Sequence, residues 1–192
     1  MIESGSLFGA DVPAGFRYQG NFITIEEEAA LVDEIGRVQF ANFEMHGVVA
    51  RRRVAFFGRS YDNGGHQTPP IPGFLMPLRE KVAHWVGVDA DAFAMALINE
   101  YRPGAPIGWH RDAPQYDIIA GVSLLSPCSM RLRPYVSPRD LPALERRRTT
   151  THEITLEPRS AYLISGEARS GYEHHIPAAT ALRYSITFRT LR

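Results

Sequence analysis

Residues 93–102 read FAMALINEYR and residues 182–191 read LRYSITFRTL. Both stretches are short, rich in β-branched and aromatic residues, and bounded by turn-forming residues, which is how β-strands read. Four more stretches of the same kind lie between them: DIIAGVSLLS (117–126), SMRLRPYV (129–136), HEITLEP (152–158) and SAYLISG (160–166). Upstream the pattern is helical. Thr24 followed by Glu27 is a capping box, Ile25, Ala29, Leu31, Val32 and Ile35 form a helical stripe, and Gly36 is a stop signal. GFLMPLREKVAHWVG (73–87) predicts a second helix. Two helices followed by six or more strands predict a mainly β fold of the α+β type, with a sandwich or barrel core and helices packed on one side. Residues 1–17 are expected to form a loose leader and 18–192 a single domain, with helices in 18–92 and the β core in 93–192. SPRDLPALERRRTT (137–150) interrupts the strand series and reads as a long insertion.

The 192 residues carry 21 basic and 21 acidic side chains, so bulk charge singles out no partner. The charge is nonetheless clustered. Arg51, Arg52, Arg53 and Arg59 make one basic group, and Arg131, Arg133, Arg139, Arg146, Arg147 and Arg148 a second. Such groups read as phosphate-binding patches or as solvated loops. Cys128 is the only cysteine, which excludes an intramolecular disulfide and a thiolate metal cluster and suits a reducing cytoplasm. The N-terminus lacks the basic and apolar regions of a signal peptide, and no apolar run is long enough to span a bilayer. A cytoplasmic monomer without membrane contact is the expectation.

His110 and Asp112 stand two positions apart in NEYRPGAPIGWHRD (99–112). On an extended segment residues i and i+2 share a face, so both can reach one ion. One distant histidine would complete a 2-His-1-carboxylate triad, the donor set of non-haem Fe(II) oxygenases. His174 and His175, in GYEHHIPA, are the leading candidates, and His152 is another. The last strand places Arg183, Ser185, Thr187 and Arg189 on one face. Two arginines facing inward need anionic partners, and a dicarboxylate cosubstrate is one.

Three of these motifs together resemble the AlkB family of Fe(II)/2-oxoglutarate dioxygenases, over Phe16 to Arg192. NEYRPGAPIGWHRD is similar to the family's N-x-Y, P-G, H-x-D block. SGEARSGYEHHIPA is similar to the stretch with the distal histidine, and its register selects His174 over His175. RYSITFR is similar to the closing R-x-x-x-x-x-R strand. The resemblance implies a double-stranded β-helix (jelly roll) with flanking helices. It implies Fe(II) on His110, Asp112 and His174, and 2-oxoglutarate held by Asn99, Tyr101, Arg183, Ser185 and Arg189, with O2 as the other cosubstrate. The implied reaction converts 2-oxoglutarate to succinate and CO2 and hydroxylates a substrate C–H bond. On an N-methyl group this releases formaldehyde.

The usual family substrates are N-alkylated bases in DNA or RNA, which implies single-stranded or flipped-base nucleic acid as partner. RRRVAFFGRSYDNGG (51–65) stands where the family has a basic and aromatic lid. There Arg51, Arg52 and Arg53 are candidates for phosphate contact, and Phe57 and Tyr61 for stacking on a base. Adjacent Phe56 and Phe57 face opposite ways in a strand, so one of them is core. Trp109 and Arg131 are further substrate-contact candidates. Several repair members carry an acid two positions after the H-x-D aspartate. Here that position is Pro114, with Asp117 as a surrogate acid. A protein or small-molecule hydroxylase is the alternative on the same iron site, and a non-catalytic binding module is a third reading.

Overall fold

The computed structural model describes residues 12–45, 48–59, 68–137 and 150–192. Within them the strands are β1 (Phe16–Gln19), β2 (Ala41–Met45), β3 (Val48–Gly58), β4 (Phe93–Tyr101), β5 (Ile107–His110), β6 (Tyr116–Leu124), β7 (Cys128–Pro134), β8 (His152–Leu156), β9 (Ala161–Ile164), β10 (Tyr172–Ile176) and β11 (Arg183–Leu191). The helices are α1 (Ile25–Ile35), α2 (Met76–Val86) and the single turn α3 (Gly166–Ser170). A seven-stranded sheet runs β1-β9-β6-β11-β4-β3-β2, and a four-stranded sheet runs β5-β10-β7-β8. All pairings are antiparallel. This is the jelly-roll core with flanking helices that the sequence predicts.

The strand repeat of two decides what each face carries. On the large sheet, Ala96, Ile98, Ala120, Val122, Ile186 and Phe188 turn to one side, where they pack with Leu31 and Ile35 of α1 and Leu78 and Val82 of α2. The alternate residues of the same strands, among them Leu97, Asn99, Ile119, Ser185 and Thr187, turn to the other side and line a cavity between the sheets. The small sheet closes this cavity with the inward residues Met130, His174 and Ile176. The helices therefore brace the back of the sheet and leave its polar face to the site. The Thr24 capping box forms as expected: the Thr24 hydroxyl accepts from the Glu27 amide at 3.1 Å, and the Glu27 carboxylate accepts from the Thr24 amide at 2.7 Å.

Gly121 in β6 sits opposite Tyr162 in β9. A Cβ at this position would come within 2.4 Å of the tyrosine ring, so only glycine lets Tyr162 lie across β6 at the cavity wall. Gly121→Ala is expected to destabilise the protein by about 1–3 kcal/mol, and urea unfolding at equilibrium measures it. A loss well under that range would show that Tyr162 can swing aside.

Two expectations change. Phe16 and Arg17, expected in the leader, belong to β1, because Phe16 is an apolar side chain buried beside Ile164 and Ala168. Residues 51–58 lie in β3, which pairs with β2 on one side and with β4 of the large sheet on the other, so strands upstream of residue 93 build the same core. The insertion lies outside the described residues except for its ends.

Candidate metal and cosubstrate centre

His110 is the last residue of β5 and stands directly opposite His174 in β10. This cross-strand register sets their ring centroids 4.2 Å apart. The chain leaves β5 after His110, and Asp112 lies two residues on. His110, Asp112 and His174 each offer one ligand atom, and these atoms all lie within 4.8 Å of one another. His175, one step along β10, faces outward and stacks on Trp109 with centroids 5.1 Å apart. Geometry thus makes the choice between the two histidines that the register of the motif indicated.

The three groups are held ready for a cation. His110 Nδ1 lies 2.9 Å from the Gly108 carbonyl. A carbonyl only accepts, so Nδ1 carries the hydrogen and Nε2 presents its lone pair. Burial, with His110 beside it, pulls the His174 pKa down to about 3 despite the attraction of Asp112, so this imidazole is neutral at neutral pH. Burial would raise the Asp112 pKa, but Arg189, His174 and His110 outweigh it and hold the carboxyl well below the usual carboxylate range. Arg189 donates to Asp112 Oδ1 at 3.0 Å, which leaves Oδ2 on the His174 side at 3.8 Å from its Nε2. One carboxylate and two imidazoles, converging from one side, fit a divalent metal with open positions.

Arg169 in α3 was not anticipated from sequence. Its side chain is buried, and one terminal nitrogen donates to the carbonyls of Asp112 (3.1 Å), Ala113 (2.6 Å) and Tyr116 (3.1 Å). It holds the irregular segment that carries Asp112, which has no strand ladder to fix it. Arg169→Met is expected to weaken divalent-metal affinity roughly 10–100-fold, the usual loss when an outer partner of a ligand is removed, with partial recovery in Arg169→Lys. Calorimetric metal titration of the folded variants tests this, and unchanged affinity would refute the holding role.

Four of the five predicted cosubstrate residues line the same cavity, whose volume is about 540 Å³, and Arg183 is buried against Tyr101 at its edge. Ser185, Thr187 and Arg189 of β11 line it, with Asn99 and Tyr101 of β4. Register pairs Ser185 with Asn99 and Arg183 with Tyr101. Arg183 is fully buried, with its guanidinium 4.9 Å from the Tyr101 ring centroid and its Nε donating to Ser123 Oγ at 3.0 Å. Its two terminal nitrogens, and Asn99 Oδ1, have no hydrogen-bond partner among the described residues. A buried cation without its hydrogen bonds is costly. A carboxylate delivered against Arg183 would satisfy both nitrogens at once. The residues present therefore fit 2-oxoglutarate as well as Fe(II).

The substrate candidates divide. Arg52 lines the cavity. Arg53, one residue on, turns to the opposite face and pairs with Glu100 at 2.8 Å, while Arg51 is exposed. Phe57 is part of the core under the helices, so it cannot stack on a substrate; Phe56 is the one that lines the cavity. Trp109 and Arg131 are also corrected. Both lie on the outer face of the small sheet, where Arg133 covers Trp109 and Arg131 pairs with Glu153 at 3.1 Å. Asp117 is exposed beside Arg192 at 3.8 Å and does not serve as a cavity acid. Tyr61 lies outside the described residues. Gln115 and Tyr116 line the cavity and were missed. Leu97 and Met95 share the strand alternation of Asn99 and Tyr101, so a repeat of two read back along β4 gives further cavity residues.

Comparison with known proteins agrees with this centre. A protein of Arabidopsis thaliana named "Alkylated DNA repair protein ALKBH8 homolog" is 27% identical over 175 residues, covering 82% of this chain. The chain spans about half of that relative's length, 49%. An uncharacterized protein, L905, of Acanthamoeba polyphaga mimivirus is 24% identical over 196 residues, covering 92% of this chain and 85% of its own. Among solved structures, OsALKBH1 superposes with a TM-score of 0.68 at 12% identity, covering 94% of this chain and 100% of that one. A Pseudomonas putida prolyl-4-hydroxylase superposes with a TM-score of 0.61 at 13% identity, covering 93% of each chain. At such identities these two structures establish the fold alone. The profile of the 2OG-Fe(II) oxygenase superfamily matches residues 17–189, nearly the whole chain, and those residues include every member of the triad and of the cosubstrate face. The chain therefore belongs to the 2OG-Fe(II) oxygenase superfamily, and its donor set and buried arginines fit Fe(II) as the metal and 2-oxoglutarate as the cosubstrate.

Proposed function

We propose that this protein oxidatively demethylates N-alkylated nucleobases in DNA or RNA. The supporting observation is that one cavity contains both the triad, with Asn99, Tyr101 and Arg189, and a wall built from Phe56, Met95, Leu97 and Tyr116. Such a wall suits a flat, largely apolar group. The likeness to a relative named for repair of alkylated DNA supports the same reading.

When bound, Fe(II) and 2-oxoglutarate supply the oxidising chemistry: the cosubstrate becomes succinate and CO2, and one oxygen atom of O2 enters a substrate C–H bond. The protein positions and shields. Arg183 and Asn99 orient the cosubstrate, Arg189 steadies Asp112, and the two sheets exclude water. On an N-methyl group the hydroxylated carbon leaves as formaldehyde and the nitrogen keeps the proton.

A panel of methylated oligonucleotides and methylated peptides, incubated with Fe(II), 2-oxoglutarate and O2 and scored by mass spectrometry, tests this. Methyl loss from oligonucleotides is the expected result. Oxidation confined to peptides would overturn it in favour of a protein hydroxylase, a reading to which the prolyl-4-hydroxylase fold likeness is equally open.

A further inference from the structure

We infer that Tyr162 is a further cosubstrate-binding residue, whose hydroxyl donates a hydrogen bond to the remote carboxylate of 2-oxoglutarate beside Arg183. The inference rests on the cosubstrate assignment above and is independent of the nucleobase reading.

The carrying observation is a row of three residues across the large sheet. Tyr162 of β9 stands opposite Gly121 of β6, and Gly121 stands opposite Thr187 of β11. Ala120 and Val122 pack under the helices, so position 121 points into the cavity. A Cβ there would meet Tyr162 Cζ at 2.4 Å and its hydroxyl oxygen at 2.6 Å. The ring therefore crosses from β9 over β6, and its hydroxyl comes to lie one strand from β11, which carries Arg183, Ser185, Thr187 and Arg189. Tyr101 sits on β4, on the other side of β11, so the two phenols flank the cosubstrate strand.

The hydroxyl has no evident use within the fold. Tyr162 is 5% exposed, lines the cavity, and makes no hydrogen bond among the described residues. A buried hydroxyl without a partner is costly, and buried tyrosines usually have one. The terminal nitrogens of Arg183 and Asn99 Oδ1 lack partners among the same residues, so one ligand would satisfy several groups at once. Tyr162 packs in one cluster with Tyr101, whose ring meets Arg183, and not in the cluster of Met95, Leu97 and Tyr116. At the triad end, Arg189 already donates to Thr187 Oγ1 and to Asp112. These placements favour the carboxylate at the Arg183 end.

The chemistry suits the role. Burial, with Tyr101 beside it, holds the Tyr162 pKa well above the usual tyrosine range despite the pull of Arg183 and Arg189, so the group is a neutral donor at physiological pH. A carboxylate has about four lone-pair sites. A bidentate guanidinium uses two of them, and a phenol can fill a third without adding charge.

Tyr162→Phe removes the hydroxyl and keeps the ring over Gly121. The parent and the variant, both loaded with Mn(II) to prevent turnover, are titrated with two acids. One is 2-oxoglutarate, and the other is 2-oxopentanoate, which has a methyl group in place of the remote carboxylate. Calorimetry gives the first affinity, and competition against 2-oxoglutarate gives the second. The variant is expected to bind 2-oxoglutarate about 10–100-fold more weakly, the weight of a hydrogen bond to a charged group. Its affinity for 2-oxopentanoate should be that of the parent, and its melting temperature without cosubstrate should not fall. An equal loss for both acids would assign the hydroxyl to the fold or to the keto-acid end and overturn the inference. Full retention of 2-oxoglutarate affinity would overturn it too, and both results leave the cosubstrate assignment standing. Failure of the parent to bind 2-oxoglutarate would overturn both.

Discussion

Asp112→Ala should reduce succinate formation to background in a protein that still folds. Asp112 is the only carboxylate in the triad and the only acid among the described residues of the cavity wall. Its removal leaves two imidazoles beside Arg189, a donor set that has lost its carboxylate and now faces a buried guanidinium. Divalent-metal affinity is expected to fall by about 100-fold or more, beyond the loss typical of an outer partner. Stranding Arg189 also costs stability, on the order of 3–5 kcal/mol for a broken buried pair. Asp112→Asn is therefore the companion variant: it keeps an acceptor for Arg189 and removes the charge. Unchanged turnover in both would sink the metal assignment. The same titration separates the adjacent histidines. His174→Ala should lose metal affinity to a similar extent, because its ring faces His110 and Asp112. His175→Ala should retain it, because that ring stacks on Trp109 outside the cavity. Equal losses would mean the inward and outward faces of β10 are wrongly assigned.

Arg183→Met should raise the 2-oxoglutarate concentration needed for half-maximal turnover by about 100-fold, since two charge-assisted hydrogen bonds to a buried carboxylate disappear. A second signature distinguishes this from general damage. In the protein without cosubstrate, the Arg183 terminal nitrogens are buried without hydrogen-bond partners among the described residues, so the guanidinium is a burden on the fold. The methionine variant should thus melt at the same temperature as the parent or higher, while losing the stabilisation that added 2-oxoglutarate gives the parent. Differential scanning calorimetry with and without cosubstrate checks both halves. A large drop in melting temperature together with normal cosubstrate affinity would assign Arg183 a structural role through Ser123 and Tyr101 instead.

The parts of the site that follow a strand's own repeat were legible in the chain. Arg183, Ser185, Thr187 and Arg189 share a face because a strand alternates, and no partner is needed to know it. The Thr24–Glu27 cap is equally local, since both hydrogen bonds close within one helical turn. Phe56 and Phe57 mark the limit of such reasoning. Alternation says that one faces in and one out, but which of them reaches the cavity depends on the register of β3 against β4, a pairing of residues about 40 apart in the chain. Trp109 and Arg131 fail for a related reason: Arg131's strand was legible and the short strand of Trp109 was not, and for neither did the sequence say which side of the small sheet faces the cavity.

The sequence by itself determined the chemistry: a histidine and an aspartate two apart, a distant histidine, and a closing strand with two arginines on one face, together enough to name the donor set and the cosubstrate grip. Only the tertiary structure decided the environment of that chemistry. It put His110 opposite His174 across two strands, turned His175 outward, brought Arg169 from a distant helical turn onto the carbonyls of the Asp112 segment, and left Asp112 as the sole acid among the described lining residues of a cavity that also holds Arg52. The physical reason is one of range. Alternation and capping are fixed by neighbours along the chain, whereas burial, charge balance and pKa depend on which faces of which strands are pressed together, and that is settled only when the two sheets close.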